Sequence, residues 1–157
     1  MEILGKSTIN PLLFYPGKIA GYVTWTALLL SFLNINILAK SIPWQLDFIA
    51  YILFTIGVAI SMVSLFTLGK STRFGIPTKK TALKTGGLYK VSRNPIYLGF
   101  DLMTISSILF LPNPVILVLG VWSMVVYHLI IIGEERFLEK AFGEDYLEYK
   151  RKVRRYI

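Results

Sequence analysis

Cysteine is missing from this sequence of 157 residues. Its absence excludes disulfides, thiolate metal sites and cysteine nucleophiles together. Histidine occurs once, as His128, so a multi-histidine metal centre is excluded and no metal is expected. Acids are scarce: nine Asp and Glu stand against seventeen Lys and Arg, a formal net charge of +8. Internal repeats, low-complexity tracts and heptad arrays are also missing. What is abundant is apolar. Hydrophobic residues make up 54% of the chain, and the mean hydropathy of +0.59 is too high for an ordinary soluble domain. The basic excess suits a chain pressed against anionic lipid, so membrane lipids, rather than nucleic acid, are the expected partners. The length fits one domain.

Four apolar segments stand out: Ile19–Ala39, Leu46–Leu68, Pro95–Leu111 and Pro114–Ile132. The first two are long enough as helices to cross a hydrocarbon core of about 30 Å. The turn "LPNP" at 111–114 cannot continue a helix, so the third and fourth segments are expected to form a tight antiparallel hairpin. In "MEILGKSTINPLLFYPGK" the Asn10-Pro11 and Pro16-Gly17 pairs break the pattern. That stretch is no cleavable signal and is expected to lie at the interface. Gly57, Ser61 and Ser64 form a face of small residues suited to helix packing within the chain. The final stretch, "EERFLEKAFGEDYLEYKRKVRRYI", reads as an amphipathic helix, a break at Gly143 and a second helix. Its basic end, "KRKVRRY", is expected to touch lipid headgroups.

Charge orients these segments. Residues 70–95 carry seven Lys or Arg and no acid, and residues 133–157 carry seven more. The positive-inside rule puts the 70–95 loop and the C-terminus in the cytoplasm, and four crossings put the N-terminus there too. The expected fold is an all-α integral membrane protein with about four transmembrane helices and a C-terminal cytoplasmic amphipathic helical tail. It forms a single membrane domain over 1–157. Two N-terminal transmembrane helices fall within 18–69 and a catalytic, cofactor-binding region within 80–157.

Depth arithmetic brings distant residues level. Measured back from the LPNP turn at about 1.5 Å per residue, Asp101 lies about 17 Å away, Tyr97 about 22 Å and Arg93 about 28 Å. Measured forward, His128 lies about 21 Å away, and Glu134 and Glu135 about 30 Å. Tyr97 therefore matches His128 in height, and Arg93 matches Glu134 and Glu135. Such an Arg and carboxylate pair either closes the hairpin as a simple salt bridge or belongs to a site. Asp101 and His128 are intramembrane ionisable groups, which either bond neighbouring helices or serve an acceptor pocket.

The combination of "GGLYKVSRNPIYLG", a later Asn-Pro turn, Glu134-Glu135 and "FGEDYLEY" resembles the C-terminal catalytic region of the isoprenylcysteine carboxyl methyltransferase family. The wider superfamily includes phospholipid N-methyltransferases. The likeness covers about residues 80–153 and is that of a short, prokaryotic-type member. It implies S-adenosylmethionine (SAM) as methyl donor, S-adenosylhomocysteine as product, and a cofactor held without a Rossmann fold. No G-x-G-x-x-G follows a strand here. Carried over by the resemblance, cofactor binding falls to Thr81, Ala82, Leu83, Lys84, Tyr89, Asn94, Pro95, Tyr97 and Glu134. Arg93 and Glu135 are the catalytic candidates.

Those residue types fit the chemistry. Tyrosine faces stabilise a sulfonium cation. A Glu134 or Glu135 carboxylate accepts from an ammonium and from ribose hydroxyls. Arg93 and the 83–87 backbone suit a carboxylate, with Gly86 and Gly87 allowing close approach. Pro95 suits the first helical position, with Asn94 as its cap. Two departures bear on the acceptor. Asn94 stands where the eukaryotic isoprenylcysteine enzymes have His, and Ile130 stands where they have a substrate-contacting Arg. The acceptor is thus left as a lipophilic or small carboxylate, amine or thiol. Two competing readings are an NADPH-dependent membrane reductase related to sterol reductases and a non-enzymatic lipid-binding subunit.

Overall fold

The computed structural model describes residues 9–35, 38, 44–68 and 83–157. Over these residues the chain is all-helical: α1 (Pro11–Phe32), α2 (Trp44–Leu68), α3 (Pro95–Phe110), α4 (Pro114–Phe142) and α5 (Glu144–Lys152). A single 3-10 turn, Gly87–Lys90, precedes α3. The starts of α1 and α3 and the ends of α2 and α4 share one end of the bundle, where Lys18, Leu68, Tyr97 and Glu134 line one cavity. At the opposite end Phe32 and Tyr51 pack against Phe110.

Three helices begin with Asn-Pro. Asn10 accepts from Leu12 N–H and Asn113 from Val115 N–H, both at 2.9 Å, with proline at the first helical position. The Asn10-Pro11 pair therefore starts α1 rather than breaking it, and the interfacial segment expected there is helical from Pro11 onward. Pro16 lies inside α1, where it withholds the N–H that would reach the carbonyl four residues earlier and crowds that carbonyl. The helix also stops seven residues before the expected Ala39. Asn34 adopts φ 62°, Ile35 N–H reaches Leu30 C=O at 2.9 Å and Asn34 N–H reaches Ser31 C=O at 3.1 Å. Those two bonds close the helix as a Schellman motif.

The hairpin is less close than its turn suggests. Backbones approach most where glycines meet: a Cβ on Gly99 of α3 would lie 2.5 Å from Gly57 O and 2.2 Å from Ser61 Oγ of α2. The small-residue face of α2 thus packs within the chain, as its spacing predicts. On the other side, a Cβ on Gly17 of α1 would lie 2.4 Å from Val126 of α4. α3 therefore pairs most closely with α2, and α4 with α1. Trp25 of α1 enters between α3 and α4, donating to Thr104 Oγ1 at 2.9 Å with its ring 5.0 Å from Phe100.

Among the described residues, two stretches are long and apolar enough to cross a membrane, Leu46–Leu68 and Pro114–Phe142. Their outer faces expose Ile49, Ile56, Phe66, Val118, Trp122 and Val125. α3, at 16 residues, spans only about 24 Å at 1.5 Å per residue. α4 continues ten residues past Ile132, so the apolar segment and the first tail helix are one helix of 29 residues. Gly143, at φ 54°, then breaks the chain into α5 as expected.

Candidate active site

The site is built on two stripes of α4. Tyr127 and Glu134 are seven residues apart, as are His128 and Glu135, so each pair shares a face while the two faces differ by one residue's rotation. Tyr97 of α3 faces the first stripe. Its ring centroid lies 5.8 Å from that of Tyr127 and its hydroxyl donates to Glu134 Oε1 at 2.8 Å. Tyr97 and His128 match in height but not in face. His128 is exposed and pairs with the Tyr156 hydroxyl at 2.6 Å.

Arg93, just before α3, faces the second stripe. Its Nε and Nη2 donate to Glu135 Oε1 at 3.1 and 2.9 Å, and its Nη1 donates to the carbonyls of Val153 and Lys150 at 2.6 and 3.3 Å. Asn94 Nδ2 donates to the same Oε1 at 3.1 Å. Arg155 completes the set, its Nε and Nη2 donating to Glu135 Oε2 at 3.1 and 3.0 Å. Glu135 is 3% exposed, so this is a buried carboxylate held by two guanidiniums and an amide, not a surface pair.

That lock draws the C-terminal segment onto the motif loop. Arg93 N–H donates to Arg154 C=O at 3.0 Å, Ser92 Oγ to Arg155 C=O at 3.2 Å, and Tyr149 O–H to Tyr89 C=O at 2.6 Å. Burial pushes the Tyr149 phenol up to about 12, so it remains a donor across the physiological range. Arg155, expected among the headgroup-facing basic residues, turns inward instead. Glu135 holds its guanidinium charge firmly and raises its pKa. Arg151, Lys152 and Arg154 remain exposed.

The same lock diverts Asn94 from the capping role expected of it. Asn94 occupies the N-cap position of α3, but its side chain makes no capping bond. It donates to Glu135 and to Arg155 C=O instead. Of the two loop glycines, only Gly87 is conformationally required, at φ 60° and close to Thr67. A Cβ on Gly86 would meet nothing within 4 Å.

Beside the lock lies a cavity of about 160 Å³. Five of the sequence-predicted residues line it: Tyr89, Arg93, Asn94, Tyr97 and Glu134. Pro95 is buried at the start of α3. Leu83 and Lys84 are described but are not part of the lining, and Thr81 and Ala82 lie outside the described residues. Asp101 keeps a buried Oδ1 with no hydrogen-bond partner among the described residues. The cavity also takes Lys18, Leu68, Ile96, Phe100 and Leu138, none of which sequence reasoning named as a site residue. Lys18 lies four residues after Phe14, with its Nζ 4.3 Å from that ring's centroid, an i, i+4 spacing that was available in the sequence.

The model of the phospholipid methyltransferase family matches residues 46–145. The chain belongs to that family, as its all-helical fold and motif loop indicate. Among curated relatives it is similar to the protein-S-isoprenylcysteine O-methyltransferases of Saccharomyces cerevisiae and Xenopus laevis. The first is 34% identical over 106 residues, covering 65% of this chain and 44% of the yeast protein. The second is 34% identical over 121 residues, covering 73% and 41%. The chain therefore spans less than half the length of these relatives. Among solved structures it resembles the eukaryotic intramembrane Ras methyltransferase ICMT. That match has a TM-score of 0.65 at 23% identity, over 92% of this chain and 52% of that one, and the likeness is one of fold.

Proposed function

We propose that this chain is a membrane-embedded, SAM-dependent methyltransferase acting on a lipophilic or small acceptor. The observation that carries the reading is the cavity beside the Arg93–Glu135 lock. It presents a carboxylate (Glu134), an ammonium (Lys18) and the aromatic rings of Tyr89, Tyr97 and Phe100. That donor set fits SAM, which brings a sulfonium, an amino-acid zwitterion and ribose hydroxyls. When bound, SAM supplies an electrophilic methyl group for in-line displacement by the acceptor.

The chain's own part is alignment and exclusion of water, which suffice for such a displacement. Tyr97 and Tyr89 offer ring faces to a cation. Glu134, oriented by the Tyr97 hydroxyl, is a fixed acceptor for ammonium or hydroxyl donors. Pro95 and Asn94 set the start of α3, and thereby the position of Tyr97. Arg93 and Glu135, the catalytic candidates, bond each other and the tail, and this reading gives them the positioning of the wall that carries Asn94 and Tyr97. Leu83, Lys84, Thr81 and Ala82 extend the cofactor side in this proposal. Asp101, with its unpaired buried oxygen, and His128, reached by Tyr156, are assigned to the acceptor side. Ile130 is fully buried against Phe14, Trp25 and Tyr127. This supports an acceptor that needs no arginine at that position.

The proposed topology has four crossings, with both termini and the 70–95 loop in the cytoplasm. The purified protein, mixed with a total lipid extract and SAM labelled in its methyl group, is expected to transfer label to an extractable product. Consumption of NADPH by the same preparation, with no label transferred, would contradict the reading.

A further inference from the structure

The last residues of the chain grip the cavity from behind. Among the described residues no part of the tail lines it, yet three lining residues, Tyr89, Arg93 and Asn94, are bonded to the tail. Tyr149 O–H donates to Tyr89 C=O at 2.6 Å. Arg93 N–H donates to Arg154 C=O at 3.0 Å, and its Nη1 to Val153 C=O at 2.6 Å. Asn94 Nδ2 donates to Arg155 C=O at 3.3 Å. Val153 is already extended and past the end of α5, so the carbonyls of 153–155 belong to a strap rather than to a helix. Two side chains anchor this strap to α4. Arg155 donates twice to Glu135 Oε2, at 3.1 and 3.0 Å, and the Tyr156 hydroxyl meets His128 Nδ1 at 2.6 Å. The first anchor joins two charges and is the stronger kind. Asn94 registers the seated strap. Asn10 and Asn113 each precede a proline and cap its helix, at ψ 125° and 133°. Asn94 precedes Pro95 in the same way, but at ψ 52° and with its amide on Glu135 and Arg155 C=O. The cap is the local alternative open to it when the strap lifts.

We propose that Arg155 is a positioning residue for the cofactor cavity. It seats the strap on Glu135, and the seated strap holds Tyr89, Arg93 and Asn94 in the arrangement that receives the ligand. With the strap lifted, Asn94 takes the cap and that part of the wall is lost. Strap seating and ligand binding are therefore coupled, and such coupling is reciprocal: a strap that favours the ligand is favoured by it. The assignment rests on the SAM reading above and adds a residue that does not itself touch the cavity.

The test has two arms on the detergent-solubilised full chain, with S-adenosylhomocysteine as the probe. In equilibrium binding below the unfolding midpoint, Arg155→Ala is expected to weaken the ligand about tenfold, within the usual span of coupling between sites. Arg155→Lys, which keeps a cation for Glu135, should restore most of the loss. The second arm needs no variant. Trypsin can cut after Arg154 only when the strap lifts, because the Arg154 and Arg155 carbonyls are bonded to Arg93, Ser92 and Asn94. Saturating ligand is expected to slow the loss of residues 155–157 from the wild-type chain by about the same factor. A ligand with no link to the strap would stabilise the whole fold and leave this local opening as it was. Should Arg155→Ala fail to fold, the trypsin arm decides alone. Unchanged binding in a folded Arg155→Ala, or tail cleavage at one rate with and without bound ligand, overturns the assignment and leaves the SAM reading standing. Failure of the wild-type chain to bind S-adenosylhomocysteine overturns the SAM reading, and this assignment with it.

Discussion

Glu134 and Glu135 are adjacent in sequence and opposite in circumstance. Glu135 has both oxygens filled by Arg93, Asn94 and Arg155, whereas Glu134 accepts from Tyr97 and faces the cavity. Glu135→Ala leaves guanidinium charge buried without compensation. It is expected to cost about 3–5 kcal/mol, read as a lower unfolding midpoint of the solubilised protein. Glu134→Ala strands the Tyr97 hydroxyl and removes the negative charge near the Lys18 ammonium, at about 1–3 kcal/mol, but is expected to abolish stabilisation by S-adenosylhomocysteine. The sequence showed that Arg93 and the two glutamates lie at one height. It could not show which glutamate meets which partner, because a single residue's rotation on α4 decides that, and packing against α1 sets the rotation. Asn94 makes the same point. Its two Asn-Pro counterparts cap their helices, and local pattern alone predicts the same for Asn94. The distant Glu135 and the Arg155 carbonyl outcompete the cap.

Among the elements, the two closest contacts are made by glycines, and they define which helices pair. Gly99→Ala would drive a Cβ into Gly57 O and Ser61 Oγ. It is expected to destabilise by about 1–3 kcal/mol in chemical unfolding. Gly86→Ala, with open space around it, is expected to stay within about 0.5 kcal/mol. The small-residue face of α2 was legible because its period is helical. Its partner was not, since the LPNP turn makes α3 and α4 neighbours in sequence without making them the tightest pair. The tail is a second case. Its amphipathic helices and Gly143 break were readable, but the inward turn of Arg155 depends on a carboxylate twenty residues earlier. Arg155→Ala is expected to lower the unfolding midpoint, though less than Glu135→Ala, because its side chain is 35% exposed and water screens part of the pair.

At the scale of the molecule, the motif loop, the tail, the end of α2 and the start of α1 converge on one end of the bundle. Composition made the apolar helices plain, and motif spacing made half of the cavity wall plain. The contribution of α1 was hidden, because neither a lone lysine nor a Pro-Gly pair announces a helix that reaches the cavity. In the proposed function this convergence is what binds SAM. Its most direct test is thermal unfolding of the solubilised chain with S-adenosylhomocysteine or NADPH added. A ligand at a hundredfold excess over its Kd adds about 2.7 kcal/mol to the native state. The midpoint is therefore expected to rise with S-adenosylhomocysteine, to stay unchanged with NADPH, and to lose its response in Glu134→Ala. A rise with NADPH alone, or a response to S-adenosylhomocysteine that survives Glu134→Ala undiminished, would contradict it.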